Sequence, residues 1–370
     1  MKLIDKGIVF AGKPESNTAS CCFPGIVRFP DGSLMCSWRT GSTKESPDGK
    51  IWLAHSSDSG KSWKHWPLHV SERFGDAPGE FHYGPLTILG DRRLLITLMW
   101  TDRSDPSLPF FNPQTEGLLP VRTIFAESTD GGHTWAHLRA MDTAPYQSPM
   151  PITGPVLKLP TGRLACCFEV NKHHADTRPW RHAAAMKISS DGGTTWPEAV
   201  EVANDPNNRL MFWDQRHSIS GDRHTAMFWT YDRTANKDAN IHLSLSSDGG
   251  RSWTLPKDTG IVGQVAHPVL LSDGRLMVIY IDRFHTRSIR ARLSNDYGNT
   301  FGEEELVVHQ QPRNSADAGV ESQSAEYLQD MQLWSFGRID ALADEQGDIW
   351  TVFYAGDSRS TGIHWAHIKP

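Results

Sequence analysis

Several short segments of this 370-residue chain close on a mixture of aromatic, acidic and basic residues. They are Trp38-Arg39, Trp100 to Arg103, Glu169 to His174, Thr230 to Arg233, Tyr280 to Arg283 and Tyr354 to Arg359. A second set opens neighbouring segments: Cys22-Phe23, His82-Tyr83, Asp214 to His217, Gln264 to His267, and Arg338. The planar fork of arginine matches a carboxylate. A pair of Asp or Glu carboxyls is the acid/base equipment of glycoside cleavage. Aromatic faces stack on sugar rings. Any one Asp-Arg pair also reads as a structural ion pair. The recurrence of Arg at equivalent segment ends is what argues for a shared site that takes a carbohydrate bearing a carboxylate.

These residues need elements that bring them together, and a repeat supplies them. Five copies of Ser-x-Asp-x-Gly-x-Ser/Thr-aromatic, the Asp-box, run from Ser56 to Trp63, Ser128 to Trp135, Ser189 to Trp196, Ser246 to Trp253 and Ser294 to Phe301. The Asp residues 58, 130, 191, 248 and 296 are spaced by 72, 61, 57 and 48 residues. A propeller blade of four strands takes about 40–45 residues, so each step is one blade plus loop insertions. Before each box, apolar alternation around a Gly or Asp turn predicts a hairpin, as in PGIVRFPDGSLMCSW from Pro24. A sixth hairpin starts at Arg338 and is followed by one strand, Ile363 to Ile368, with no box. The N-terminal strand, near Leu3 to Ala11, is expected to pair beside it and close the ring. The prediction is an all-β, six-bladed β-propeller of four-stranded antiparallel blades, one domain over residues 1–370. Strand 1 starts and strand 2 ends then share one face. The boxes mark the other face, as fastenings without a chemical role.

Asp-boxes in hairpin units over essentially the whole chain resemble the sialidase (neuraminidase) superfamily of six-bladed propellers. The resemblance implies three Arg residues on the substrate carboxylate, an Asp acid/base, and a Tyr nucleophile activated by a Glu. Position by position, Cys22-Phe23-Pro24 stands where the family opens blade 1 with its first Arg, so that Arg is missing. The loop after strand 2 of blade 1 offers Asp48 as acid/base, with Glu45 as substitute. The family's Glu falls on Asp214, its second Arg near Arg233 and its third on Arg287. The family's Tyr falls at Arg338, which is free to replace the missing Arg. Tyr354 stands at the other end of that hairpin, where the family carries a Glu. Without the Tyr, two carboxylates flanking a water suggest inversion. The reading is an exo-glycoside hydrolase on a terminal acidic, sialic-acid-like sugar. Asp48 and Asp214 are catalytic; Arg39, Arg233, Arg283, Arg287, Arg338 and Tyr354 bind substrate.

Two other classes stay open. A uronate-directed polysaccharide lyase would use His82 with Tyr83, or His217, as base and acid. A non-catalytic glycan-binding propeller would keep the Arg and Trp rim without needing the carboxylates. A net charge of −6 and a pI near 6.3 argue against nucleic acid as the main partner. Mean hydropathy is −0.46 and no apolar run is long enough for a membrane span. MKLIDKG lacks an apolar leader core, so a cytoplasmic protein is expected, a secreted form with its leader removed being the alternative. Cys21, Cys22, Cys36, Cys166 and Cys167 do not make a disulfide framework and read as core fillers. No cofactor or metal is expected.

Overall fold

The computed structural model describes residues 1–312 and 331–370. Six antiparallel sheets form the blades of a propeller. The second strand of each blade is the most apolar, as in Leu34–Gly41, Leu94–Asp102 and Leu276–Asp282, and is buried along nearly its whole length. Such continuous burial follows from its place between neighbouring blades, which cover both faces of the sheet. Outer strands such as Ala136–Ala140 and Lys257–Asp258 are short and exposed.

The core is a set of layers between blades rather than one centre. Each box aromatic fills the layer shared with the preceding blade. Trp196 of blade 3 stacks on Phe125 of blade 2 at 4.9 Å. Trp135, Trp253 and Phe301 pack into the corresponding clusters of blades 1–2, 3–4 and 4–5. The turn that presents them is the same each time. In the first copy, Ser56 Oγ donates to Asp58 Oδ1 at 2.8 Å and accepts from Gly60 N at 2.9 Å. Ser62 Oγ donates to Asp58 Oδ2 at 2.6 Å. Gly60 holds φ +83°, and a Cβ there would meet the Trp365 ring at 2.7 Å, so both conformation and space call for glycine.

The ring closes as the sequence implies. Lys2–Phe10 pairs antiparallel with Thr361–Lys369 in blade 6, with Leu3 opposite Ile368 and Phe10 opposite Ile363. Register also fixes the two faces. The box serines pair with the beginning of the second strands, Ser56 with Leu34 and Ser128 with Leu94. The boxes therefore sit at the opposite end from the second-strand termini. All five cysteines are buried and free, and burial pushes the Cys166 thiol up to about 12. Among the described residues no helix is long and apolar enough to cross a membrane.

Candidate functional site

A shared backbone defect aims the side chains. The inner strands of blades 1, 4 and 6 carry the same bulge, in which two residues oppose one. The bulged residues Phe23, Asp214 and Arg338 take positive φ of 54°, 48° and 42°. Blade 2 has a register shift at His82. Bulges bend a strand and turn a side chain out of the alternation. A non-glycine residue held at positive φ is strained, and such strain gathers at functional positions. Here Phe23, His82, Asp214 and Arg338 all line one cavity of about 140 Å³. All six blades contribute to its lining, with Glu169 from blade 3 and Arg283 from blade 5.

Of the eight residues singled out in the sequence, Asp214, Arg283, Arg338 and Tyr354 line this cavity. Asp214 Oδ1 lies 2.8 Å from Arg216 Nη2 and 3.1 Å from Arg338 Nη1. Its backbone N–H donates to Glu169 Oε1. Arg338 Nη2 donates to the Thr153 carbonyl at 3.0 Å, and its guanidinium lies 4.3 Å from the Tyr83 ring centroid. Arg283 donates from Nε to Gln264 Oε1 at 2.8 Å and from Nη1 to the Phe336 carbonyl at 2.6 Å, with the Trp334 ring 4.1 Å away. The Tyr354 hydroxyl accepts from Lys44 Nζ at 3.0 Å.

The other four lie outside the lining. Asp48 closes its own loop, accepting from Ser42 N at 3.1 Å and from Ser42 Oγ at 3.2 Å. Burial works to raise its carboxyl, but hydrogen bonds from Ser46 and Ser42 outweigh that and hold it below the usual range. Arg233 pairs with Glu116 at 2.7 Å. Arg287 reaches the Pro312 carbonyl at 3.5 Å. Arg39 is fully buried behind the cavity wall, where it joins a network around Glu80.

Glu80 is a buried node with three cationic or imidazole partners. Arg39 Nε meets Oε2 at 3.1 Å; Arg103 Nη2 and His82 Nδ1 meet Oε1 at 2.9 and 3.0 Å. The two guanidiniums also hold the next loop by its backbone, Arg39 through its terminal nitrogens and Arg103 through the same Nη2 that meets Glu80. Arg39 donates to the carbonyls of Thr43 and Ser46, and Arg103 to that of Glu45 at 2.8 Å. Lys44 Nζ then ties the loop to blade 6 through the Met331 and Trp334 carbonyls at 2.7 and 2.8 Å. The result presents Glu45 on the cavity wall. Burial pushes the Glu45 carboxyl up to about 7 against the pull of Lys44, Arg39 and Arg103. Burial pulls His82 down to about 4 despite its Glu80 partner, so the imidazole is neutral at pH 7. Its ring stacks on Phe110 at 4.1 Å. His217 belongs elsewhere. It lines a larger cavity of about 560 Å³ at the box end of the axis, with burial pulling it down to about 3.

A family profile described as a BNR repeat-like domain matches residues 32–301. The chain belongs to this family. A sialidase from Micromonospora viridifaciens is 24% identical over 204 residues, 50% of this chain and 31% of that protein. This BNR-repeat chain thus spans about a third of that relative's length. Among solved structures, a protein of unknown function from Dyadobacter fermentans superposes with a TM-score of 0.73 at 17% identity, covering 100% of this chain and 99% of the other. An α-L-arabinanase from Penicillium chrysogenum, complexed with arabinobiose, gives 0.66 at 13% identity, covering 100% and 99%. A Hadza microbial sialidase gives 0.66 at 13%, covering 95% and 66%. Identities this low establish a shared fold, that of sialidase- and arabinanase-like propeller glycoside hydrolases.

The BNR repeat makes the strand ends legible, and with them Asp214, Arg283, Arg338 and Tyr354. Sequence reasoning gave Glu169 no role and treated Glu45 as a substitute. Glu169 lies on a second-strand end, within the segment Glu169 to His174 that the sequence singled out. Nothing in the local sequence separates Glu45 from Asp48. That choice is made by Arg39 and Arg103 from outside the loop. Arg216 falls within the strand-start segment Asp214 to His217, which the sequence singled out without giving Arg216 a role of its own.

Proposed function

We propose that this protein is a sialidase-like, exo-acting glycoside hydrolase with Glu45 as proton donor and Asp214 as the opposed carboxylate. The observation that carries this reading is the placement of Glu45 on the wall of the axial cavity by a loop that Arg39, Arg103 and Lys44 hold, where partial burial raises its carboxyl to about 7. A catalytic acid needs a proton affinity close to the working pH. Blades 1 and 4 stand opposite in a six-membered ring, so Glu45 and Asp214 approach a bound sugar from opposite sides. Glu45 protonates the departing glycosidic oxygen. Asp214, oriented by Arg216 and Arg338, either attacks the anomeric carbon or takes a proton from the attacking water. The anomer released first distinguishes these routes. An acidic sugar, as expected from the sequence, would need a free guanidinium fork in this cavity.

A uronate lyase is the second reading, favoured by one feature. A neutral His82, oriented by Glu80, adjoins Tyr83 and Arg338 on the same cavity. A chromogenic glycoside panel, read together with the absorbance of unsaturated uronides, tests both. The hydrolase reading expects aglycone release that Glu45→Gln abolishes, with no unsaturated product. Unsaturated product that survives in Glu45→Gln and is lost in His82→Ala would replace it with the lyase.

A further inference from the structure

We propose that the sugar taken into the axial cavity is neutral, and that its basic side chains are internal scaffolding rather than a receptor for a substrate carboxylate. This inference rests on the glycosidase reading and names its substrate class. Three observations carry it.

The first is donor occupancy. An ammonium has three N–H donors, and Lys44 has three protein acceptors: the Met331 and Trp334 carbonyls and the Tyr354 hydroxyl. Both terminal nitrogens of Arg338 are engaged, one with Asp214 and one with the Thr153 carbonyl. Arg283 donates from Nε to Gln264 and from Nη1 to the Phe336 carbonyl, one donor from each of its two forks. Bidentate capture of a carboxylate needs a fork with both prongs free. Arg39 and Arg233, which might have served, are bound to Glu80 and Glu116 away from the lining.

The second is the neighbourhood of Arg338, a guanidinium on the cavity lining. A carboxylate docked on Arg338 would meet Asp214, whose oxygen is already 3.1 Å from that group, with Glu169 hydrogen-bonded to the Asp214 backbone. Like charges at such range disfavour each other. The same carboxylates, with the Tyr354 hydroxyl, are good acceptors for sugar hydroxyls, which are donors on every neutral ring.

The third is size and surface. The cavity of about 140 Å³ is below the ~300–1,000 Å³ of sites for drug-sized ligands. That suits one unsubstituted ring better than a nine-carbon sugar acid with its acyl arm. Trp213, Trp229, Phe110 and Phe111 supply apolar faces on which a ring's C–H surface stacks.

The test pairs binding with turnover on the whole protein. Calorimetry would measure affinity for L-arabinose, D-galactose, N-acetylneuraminic acid and D-glucuronic acid, alongside cleavage of the matching nitrophenyl glycosides. The expected result is binding and cleavage in the neutral class, with kcat/KM at least ~10-fold above the acidic class. Neutral sugars bound but no glycoside cleaved would sustain the substrate class and sink the hydrolase reading. Tighter binding or faster cleavage of an acidic sugar overturns the proposal. No binding or cleavage in either class overturns it together with the hydrolase reading.

Discussion

Burial and three nearby cations pull the proton affinity of Glu45 in opposite directions, and burial wins. Its folded carboxyl holds a proton up to about pH 7, whereas the ordinary value is 4.5. In the proposed role of acid it works protonated, so kcat/KM is expected to fall as pH rises through about 7. The sign for stability is the same. The unfolded chain releases this proton more readily, so Glu45 lowers stability progressively between pH 4.5 and about 7. Replacing Glu45 by Gln should cut turnover by about 10²–10⁴-fold and leave KM nearly unchanged, read by steady-state kinetics. Asp214 has a structural burden as well. Asp214→Ala leaves Arg216 and Arg338 without their carboxylate, and loss of one member of a buried pair costs about 3–5 kcal/mol. With Asp214 14% exposed, the lower end is expected in urea unfolding. The sequence made Asp214 visible through its place on a strand. It did not make Glu45 visible over Asp48, because the loop between them is held by contacts with another blade.

Two kinds of element support the site, and they fail differently. The loop of residues 42–49 depends on Glu80 in blade 2, which holds Arg39 and Arg103 against its backbone. Glu80→Gln keeps the shape but removes the charge that anchors both guanidiniums. The expected loss is in kcat, up to about a hundredfold, with a smaller change in KM. Aspartate restoration should recover little, since a shorter arm cannot reach both partners. The box turns sit at the other end of the ring. Asp130→Ala removes acceptors for Ser128, His133 and Thr134. It should destabilise by about 1 kcal/mol and shift the melting temperature while the folded fraction keeps full activity. The boxes were readable because each turn carries its own signal in eight consecutive residues. The bulges at Phe23, Asp214 and Arg338 were not, because a bulge is a property of pairing between two strands and leaves no local composition.

The ring is held by its own repetition and by one join. The six blades pack in series, and blade 6 is completed only by residues 2–10. Removing residues 1–10 exposes the edge of Thr361–Lys369 and opens the Cys21–Trp350 layer to water. The truncated chain should unfold or aggregate, as followed by circular dichroism and size-exclusion chromatography. A folded monomer would show that the join is dispensable. Closure was legible from arithmetic alone: a sixth hairpin with one strand too few, and a spare strand at the start. What the ring does with its centre was less legible. Arginines recur at the strand ends, but Arg39 and Arg233 meet protein carboxylates there, and the sequence cannot say which acceptor a guanidinium reaches.

The central claim is that Glu45 and Asp214 form an acid and carboxylate pair across the axial cavity. The pH dependence of kcat/KM for wild type and Glu45→Gln tests it most directly, on a glycoside whose leaving group must be protonated to depart. Wild type is expected to show a limb that falls above about pH 7; in Glu45→Gln the limb disappears and only a small residual rate is left. An unchanged limb in Glu45→Gln, or a variant as fast as wild type, would contradict it.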